Sequence, residues 1–175
     1  PIPLGYCNAG VVHESLSESF KVGDRVVSNG SHAEYVSVPK NLCAKIPDEV
    51  DDESASFTVI ASVGLQGIRL LKPEIGETIV VVGSGLVGLI SIQILKANGC
   101  NVIGIDIDKS RCSIAESFGA TAINASKDQN PVDIALDATK GNGVDCVLIT
   151  ASSKSNDLMH QAASMCRKRG RIVLV

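Results

Sequence analysis

The sequence predicts an α/β fold, a doubly wound parallel sheet preceded by part of a smaller β-domain. Three observations carry this expectation. Thr78–Val82 is an uncharged run of β-branched residues, suited to a strand buried on both faces of a parallel sheet. From Thr78 onward, apolar strand-like runs alternate with helical patterns, the rhythm of consecutive βαβ units. Before that, the chain shows short strand patterns separated by turn signals. Composition changes at Ile46-Pro47-Asp48-Glu49, which places a domain boundary between 47 and 48.

In the first segment, Gly10–His13 and Asp24–Ser28 read as strands, the second following the turn signal Val22-Gly23-Asp24. Ala33–Val38 alternates and stops at Pro39, which cannot continue a ladder, so it reads as a third strand. Asp51, Asp52 and Glu53 form an acidic helix start favoured by the helix dipole. That helix is expected to continue to Leu71-Lys72-Pro73, with breaks at Gly64 and Gly67. After Thr78–Val82, a helix runs to about Asn98-Gly99 and an apolar strand covers Asn101–Asp106. A second helix spans Lys109–Phe118 with Gly119 as its stop, and Ala120–Asn124 is a short strand. Pro131 opens a third helix ended by Gly141, and Val144–Ile149 is the next strand. The last helix carries Leu158, Met159, Ala162 and Met165 on one face. Arg167, Lys168 and Arg169 are expected to close it at the dipole's negative end, with a final strand from Arg171.

Between the strand at Thr78 and its helix lies Gly83-Ser84-Gly85-Leu86-Val87-Gly88, a G-x-G-x-x-G motif. Each glycine has its own task. Gly83 allows the tight turn, Gly85 lets backbone approach a pyrophosphate, and Gly88 lets helix and strand pack closely. The helix start offers free N–H groups and the positive dipole end to phosphates. Asp106 ends the next strand, 18 residues after Gly88, where a carboxylate can take both hydroxyls of the adenosine ribose. Strand, glycines, helix, strand and acid in register point to dinucleotide binding. A methyltransferase also uses a glycine loop and a strand-ending acid, but strand motifs ahead of the sheet argue against one.

Composition narrows the function classes. Net charge is −3 with 16 Lys+Arg against 19 Asp+Glu, so no basic surplus suggests nucleic acid. With no Trp and only 3 Phe there is no aromatic platform for single strands. Lys96, Asn98 and Gly99 interrupt the longest apolar run, so no membrane span is expected. The six cysteines (Cys7, Cys43, Cys100, Cys112, Cys146 and Cys166) include no C-x-x-C pair and suit a reducing, cytoplasmic setting. Neither tyrosine, Tyr6 or Tyr35, has a Lys four residues on, which removes the short-chain dehydrogenase pattern, and no G-x-S-x-G elbow is present. The start at Pro1 and the ending inside the apolar run Arg171–Val175 lead to the expectation that the chain is a fragment of a larger protein.

Taken together, Gly5-x-x-x-x-Gly10-Val11-Val12, Val22-Gly23-Asp24-Arg25-Val26, Ala33-Glu34-Tyr35 and Gly76-Glu77-Thr78 precede the glycine loop, and Phe118-Gly119-Ala120 follows Asp106. This order resembles the medium-chain dehydrogenase/reductase superfamily, the zinc-type alcohol dehydrogenases and their zinc-free quinone reductase relatives. The resemblance implies that 1–47 is the later part of a GroES-like catalytic domain. It implies that 48–175 is a Rossmann cofactor domain lacking its last strand. Leu4–Gly10 and Cys166–Arg171 look like a bacterial subgroup in which such a module is fused to a second, sugar-type oxidoreductase domain. The implied activity is hydride transfer between NAD and an alcohol or carbonyl substrate, sugar-derived in that subgroup. The implied cofactor residues are Gly83, Ser84, Gly85, Leu86, Val87, Gly88, Asp106, Ile107, Arg111, Thr150, Ala151 and Ser152.

The departures from that family are informative. Where the zinc enzymes carry Gly-His-Glu, this chain has Gly5-Tyr6-Cys7, and Tyr6 is a poor zinc ligand. No Cys occurs between Cys43 and Cys100, where the family's next ligand falls, and the four-cysteine lobe is missing. Zinc is therefore not expected, and NAD is expected over NADP. Catalytic groups are not identified; Tyr6 and Cys7 are candidates by position alone. His13 and His32 sit beside short strands without acidic or cysteine partners at ligand spacing, and read as structural, while His160 reads as solvent-facing. The competing readings are a zinc-independent NADPH quinone or enone reductase and a non-catalytic dinucleotide-binding module. The full-length form is expected to be a homo-oligomer acting on a small molecule, this chain alone to be inactive.

Overall fold

The computed structural model describes residues 5–126, 130–153 and 156–175. Pro1 and Leu4, used in the sequence reading, lie outside them. Contacts divide the chain into two compact units, the first ending at Ser62 and the second running from Val63 to Val175. The turn from strands to helices, where composition places a boundary after 47, comes before that division.

The first unit holds a three-stranded antiparallel sheet in the order β1 (Asn8–Val11), β2 (Arg25–Ser28), β3 (Cys43–Lys45). Val12 and Gly23 extend the β1–β2 pairing to the turn, where Gly23 adopts φ +93°. The expected strand at Ala33–Val38 does not form. Both edges of β2 are taken, one by β1 and the other by β3, which pairs Val27 with Ala44. Val36 and Val38 instead fold over Gly30, their methyl carbons 2.9 Å from where a Cβ would stand. Periodicity registered the alternation but not the competition for an edge, and it missed β3. Val27, Ile46 and Ala55 form the small core of this unit.

Asp51 caps α1 (Asp52–Ser56), accepting a hydrogen bond from the Ser54 N–H at 2.7 Å. The helical stretch then breaks at Phe57 and resumes as α2 (Thr58–Leu71). Gly64 and Gly67 do not interrupt it. Both are buried within α2, where a Cβ on Gly64 would stand 2.5 Å from Ser91 Oγ and one on Gly67 would stand 2.9 Å from Leu148 Cδ1. They are close-approach glycines that let α2 lie on the sheet's helix layer.

The second unit is a five-stranded parallel sheet. Its strands are β4 (Thr78–Val82), β5 (Asn101–Asp106), β6 (Thr121–Asn124), β7 (Val144–Ile149) and β8 (Cys166–Leu174), in the order β6-β5-β4-β7-β8. The helices between them are α3 (Leu86–Ala97), α4 (Lys109–Ser117), α5 (Pro131–Ala138) and α6 (Asp157–Met165). Alternate residues of central β4 feed two cores. Ile79 and Val81 join Ile68, Leu71, Ile92, Leu95 and Ala115 on one face; Val80 and Val82 join Ala135, Ala162 and Met165 on the other. Helices thus cover both faces, as a parallel sheet requires. Burying Ile79, Val80 and Val81 completely contributes about 2 kcal/mol each.

The end of α6 departs from expectation. The helix stops at Met165, and Arg167–Arg169 belong to β8, where Val144 faces Cys166 but Cys146 faces Arg171. The intervening residues bulge, with Arg169 at φ +66°. Opposite charge on the sheet, rather than the helix dipole, captures Arg167 and Arg171. Arg167 Nε donates to Asp145 Oδ1 at 2.6 Å, and Arg171 binds both oxygens of Glu77. The Arg167 guanidinium beside Asp145 holds that carboxyl below its usual range against the opposing effect of burial. Burial pushes the Cys166 thiol up to about 11.

Candidate functional site

The candidate site lies at the carboxyl ends of β4, β5 and β7, where an open α/β sheet binds ligands at its switch in strand order. Gly83 leaves β4 at φ +97°, a conformation that favours glycine. A Cβ there would also stand 2.8 Å from the Ala151 nitrogen. Gly88, in the first turn of α3, is needed for space: its Cβ would lie 1.8 Å from the Gly83 carbonyl oxygen. Gly85 caps α3 at φ −75°, where any residue fits, and a Cβ on it would meet nothing within 4 Å. The space beside Gly85 is open, and no side chain caps the first amides of α3. Leu86 is exposed and Val87 half-buried beside it.

Asp106 is buried, 7% exposed, at the end of β5. Its Oδ2 accepts from the Ser84 N–H at 2.7 Å and its Oδ1 from the Asp108 N–H at 2.9 Å. Each oxygen thus accepts one backbone hydrogen bond. Arg111, half exposed, stands 3.8 Å from Asp106 and 3.9 Å from Asp108. Hydrogen bonds from Ser110 hold the Asp108 carboxyl below its usual range. Ile107, 73% exposed, offers an apolar surface next to Asp106. Beneath lies Cys112, whose thiol burial pushes up. The structure thus gathers Gly83–Gly88, Asp106, Ile107 and Arg111 at one end of the sheet.

The Thr150 hydroxyl is turned inward, donating to the Gly83 carbonyl at 2.7 Å. Ala151 packs beneath Gly83, and Ser152 is exposed. Ser84 makes its bond through its backbone; its hydroxyl is wholly buried with no partner, 3.3 Å from where a Cβ on Gly104 would stand. An unpaired buried hydroxyl is costly, so Ser84→Ala should stabilise the chain by about 1 kcal/mol. Urea unfolding checks this, and a loss of stability would mean that the hydroxyl has a partner in solution.

Tyr6 and Cys7 lie in the first unit, Tyr6 exposed and Cys7 half-buried. His32, exposed, reaches back to this stretch, its Nε2 2.8 Å from the Cys7 carbonyl oxygen. Sequence spacing could not show that approach, since the two residues are 25 apart. His13 makes an edge contact with the Tyr35 ring, and His160 is exposed. Among the described residues no three His, Cys, Asp or Glu side chains come together as a metal site. Nor is any described helix long and apolar enough to cross a membrane. A shallow groove of about 390 Å³ between α2 and α3, lined by Leu65, Ile68, Pro73 and Ile94 among others, lies at the far end of α3 from the glycine loop.

The family model described as zinc-binding dehydrogenase matches residues 87–175. The chain belongs to the zinc-binding dehydrogenases, within the medium-chain dehydrogenase/reductase superfamily. It is 30% identical to an (R,R)-butanediol dehydrogenase of Bacillus subtilis over 83% of this chain and 50% of that protein. It is 31% identical to an alcohol dehydrogenase of Moraxella sp. over 91% of this chain and 46% of that protein. Among solved structures, an alcohol dehydrogenase from Thermus sp. ATN1 superposes with a TM-score of 0.91 at 26% identity, covering 98% of this chain and 61% of that one. The chain therefore spans about half the length of the curated relatives it matches.

Proposed function

We propose that the protein containing this dehydrogenase chain is an NAD-dependent oxidoreductase that moves hydride between the nicotinamide and an alcohol or carbonyl substrate, without a zinc ion held at Gly5-Tyr6-Cys7. The observation that carries the cofactor reading is a fixed carboxylate, Asp106, beside the open cradle at Gly85. When bound, NAD supplies the hydride acceptor, while these residues hold the adenosine ribose and the pyrophosphate. Relatives that are alcohol and butanediol dehydrogenases support the substrate class. A sugar-derived alcohol, a homo-oligomeric assembly and a cytoplasmic location complete the reading.

Two measurements test it. Elemental analysis of the complete protein, purified without added metal, should give well under one zinc per chain. Turnover of NAD with a panel of alcohols and sugars should exceed background and survive dialysis against a chelator. Stoichiometric zinc lost together with activity would overturn the zinc-free reading, and an absence of turnover with every substrate would favour a binding module.

A further inference from the structure

We infer that Thr150 is a positioning residue for the dinucleotide, its hydroxyl setting the Gly83 peptide and, through it, the amides at the start of α3. This rests on the dinucleotide reading above. Ladder pairing between β4 and β7 ends at Val82 and Ile149. Beyond it, the N–H groups of Thr150 and Ala151 both reach the Val82 carbonyl, at 2.9 and 3.1 Å. The loop is thereby tied to β7, but Gly83 itself is held differently on its two sides. Its N–H donates to the Ile105 carbonyl at 2.8 Å, a backbone bond that any sequence could make. Its carbonyl depends on one side chain, the Thr150 hydroxyl at 2.7 Å. The same hydroxyl stands 3.2 Å from the Val82 oxygen, so the shorter contact takes the proton.

The Gly83 carbonyl lies where a Cβ on Gly88 would collide with it, and Thr150 Oγ1 would be 2.9 Å from that same Cβ. Carbonyl, hydroxyl and the first turn of α3 therefore meet at one point. Glycine at φ +97° has no side chain to resist rotation of its peptide, so removing the hydroxyl leaves that peptide held by the Ser84 N–H bond to Asp106 among the described residues. Rotation there would turn the following amides, Ser84 and Gly85, away from the cradle and loosen the Ser84 N–H bond to Asp106. With its donor capacity spent inside the protein, Thr150 acts on the cofactor through the loop rather than by contact.

The test compares Thr150→Val, which keeps the shape and loses the hydroxyl, with Thr150→Ser, which keeps the hydroxyl. NADH affinity should fall about tenfold in the valine variant, the equivalent of one hydrogen bond, and return in the serine variant. Amide exchange at Ser84, Gly85 and Leu86 should quicken in the valine variant alone, while the amides of β5 keep their wild-type protection. A merely structural role would lower global protection without singling out the loop. Wild-type affinity and loop exchange in Thr150→Val, or a serine variant that fails to recover, would overturn the proposal and leave the dinucleotide reading standing. A wild-type chain that binds neither NADH nor NADPH would overturn both.

Discussion

Replacing Gly88 with alanine should cost about 3 kcal/mol or more of stability and abolish measurable NADH binding, because the added methyl has nowhere to go. Its position is 1.8 Å from the Gly83 carbonyl oxygen, a backbone atom flanked by Thr150 and unable to retreat without unseating the loop. Gly85→Ala separates packing from ligand contact. The backbone there is ordinary, at φ −75°, and no protein atom lies within 4 Å of the new methyl. That variant should unfold like the wild type yet bind NADH far more weakly, since only the ligand would meet the methyl. Urea titration and nicotinamide fluorescence on both variants decide the matter. Wild-type stability in Gly88→Ala would show that the loop can relax, and full NADH affinity in Gly85→Ala would show that no pyrophosphate comes near.

The second large effect concerns Asp106. NADH should bind about a hundredfold more tightly than NADPH, a difference near 3 kcal/mol. The 2′-phosphate of NADPH would bring nearly two negative charges to a buried carboxylate, with Asp108 adding to the repulsion. Arg111 softens this only in part, since it stands almost 4 Å from both acids and half in solvent. Asp106→Ala should therefore narrow the gap, mainly by weakening NADH. It should also destabilise the chain by about 2 kcal/mol, because the Ser84 and Asp108 N–H groups lose their acceptor. Parallel titrations of NADH and NADPH read the first effect, and urea unfolding reads the second. Equal affinity of the wild type for the two nucleotides would remove Asp106 from the ribose site.

How much of this was legible in the sequence follows from the range of each interaction. The parallel sheet, the glycine loop and the strand-ending Asp106 are written in local pattern: β-branched runs, a fixed glycine spacing and an acid at a strand end. These features need only a strand and a helix to be in register, and periodicity reports that. Three errors share another origin. Ala33–Val38 has the alternation of a strand, but the edges of β2 were occupied by segments on either side of it in sequence. Gly64 and Gly67 look like helix breakers, yet partners on α3 and β7 explain them as clearances. Arg167–Arg169 look like a helix terminus, but Glu77 and Asp145, far back in the chain, draw Arg167 into the sheet edge.

Within the site the same division holds. Sequence by itself placed the glycine loop and Asp106 at the carboxyl ends of β4 and β5, because a turn and a strand end are encoded by local spacing. Tertiary structure alone decided what each does there. Gly83 and Gly88 make room for protein, whereas a Cβ on Gly85 would meet no protein atom within 4 Å; all three are one letter in the sequence. Thr150 turns its hydroxyl into the loop, and Ser84 binds Asp106 through its amide rather than its side chain. The physical reason is that hydrogen bonds and steric exclusion act over a few ångströms in space, between residues that lie 22 and 67 positions apart in the chain.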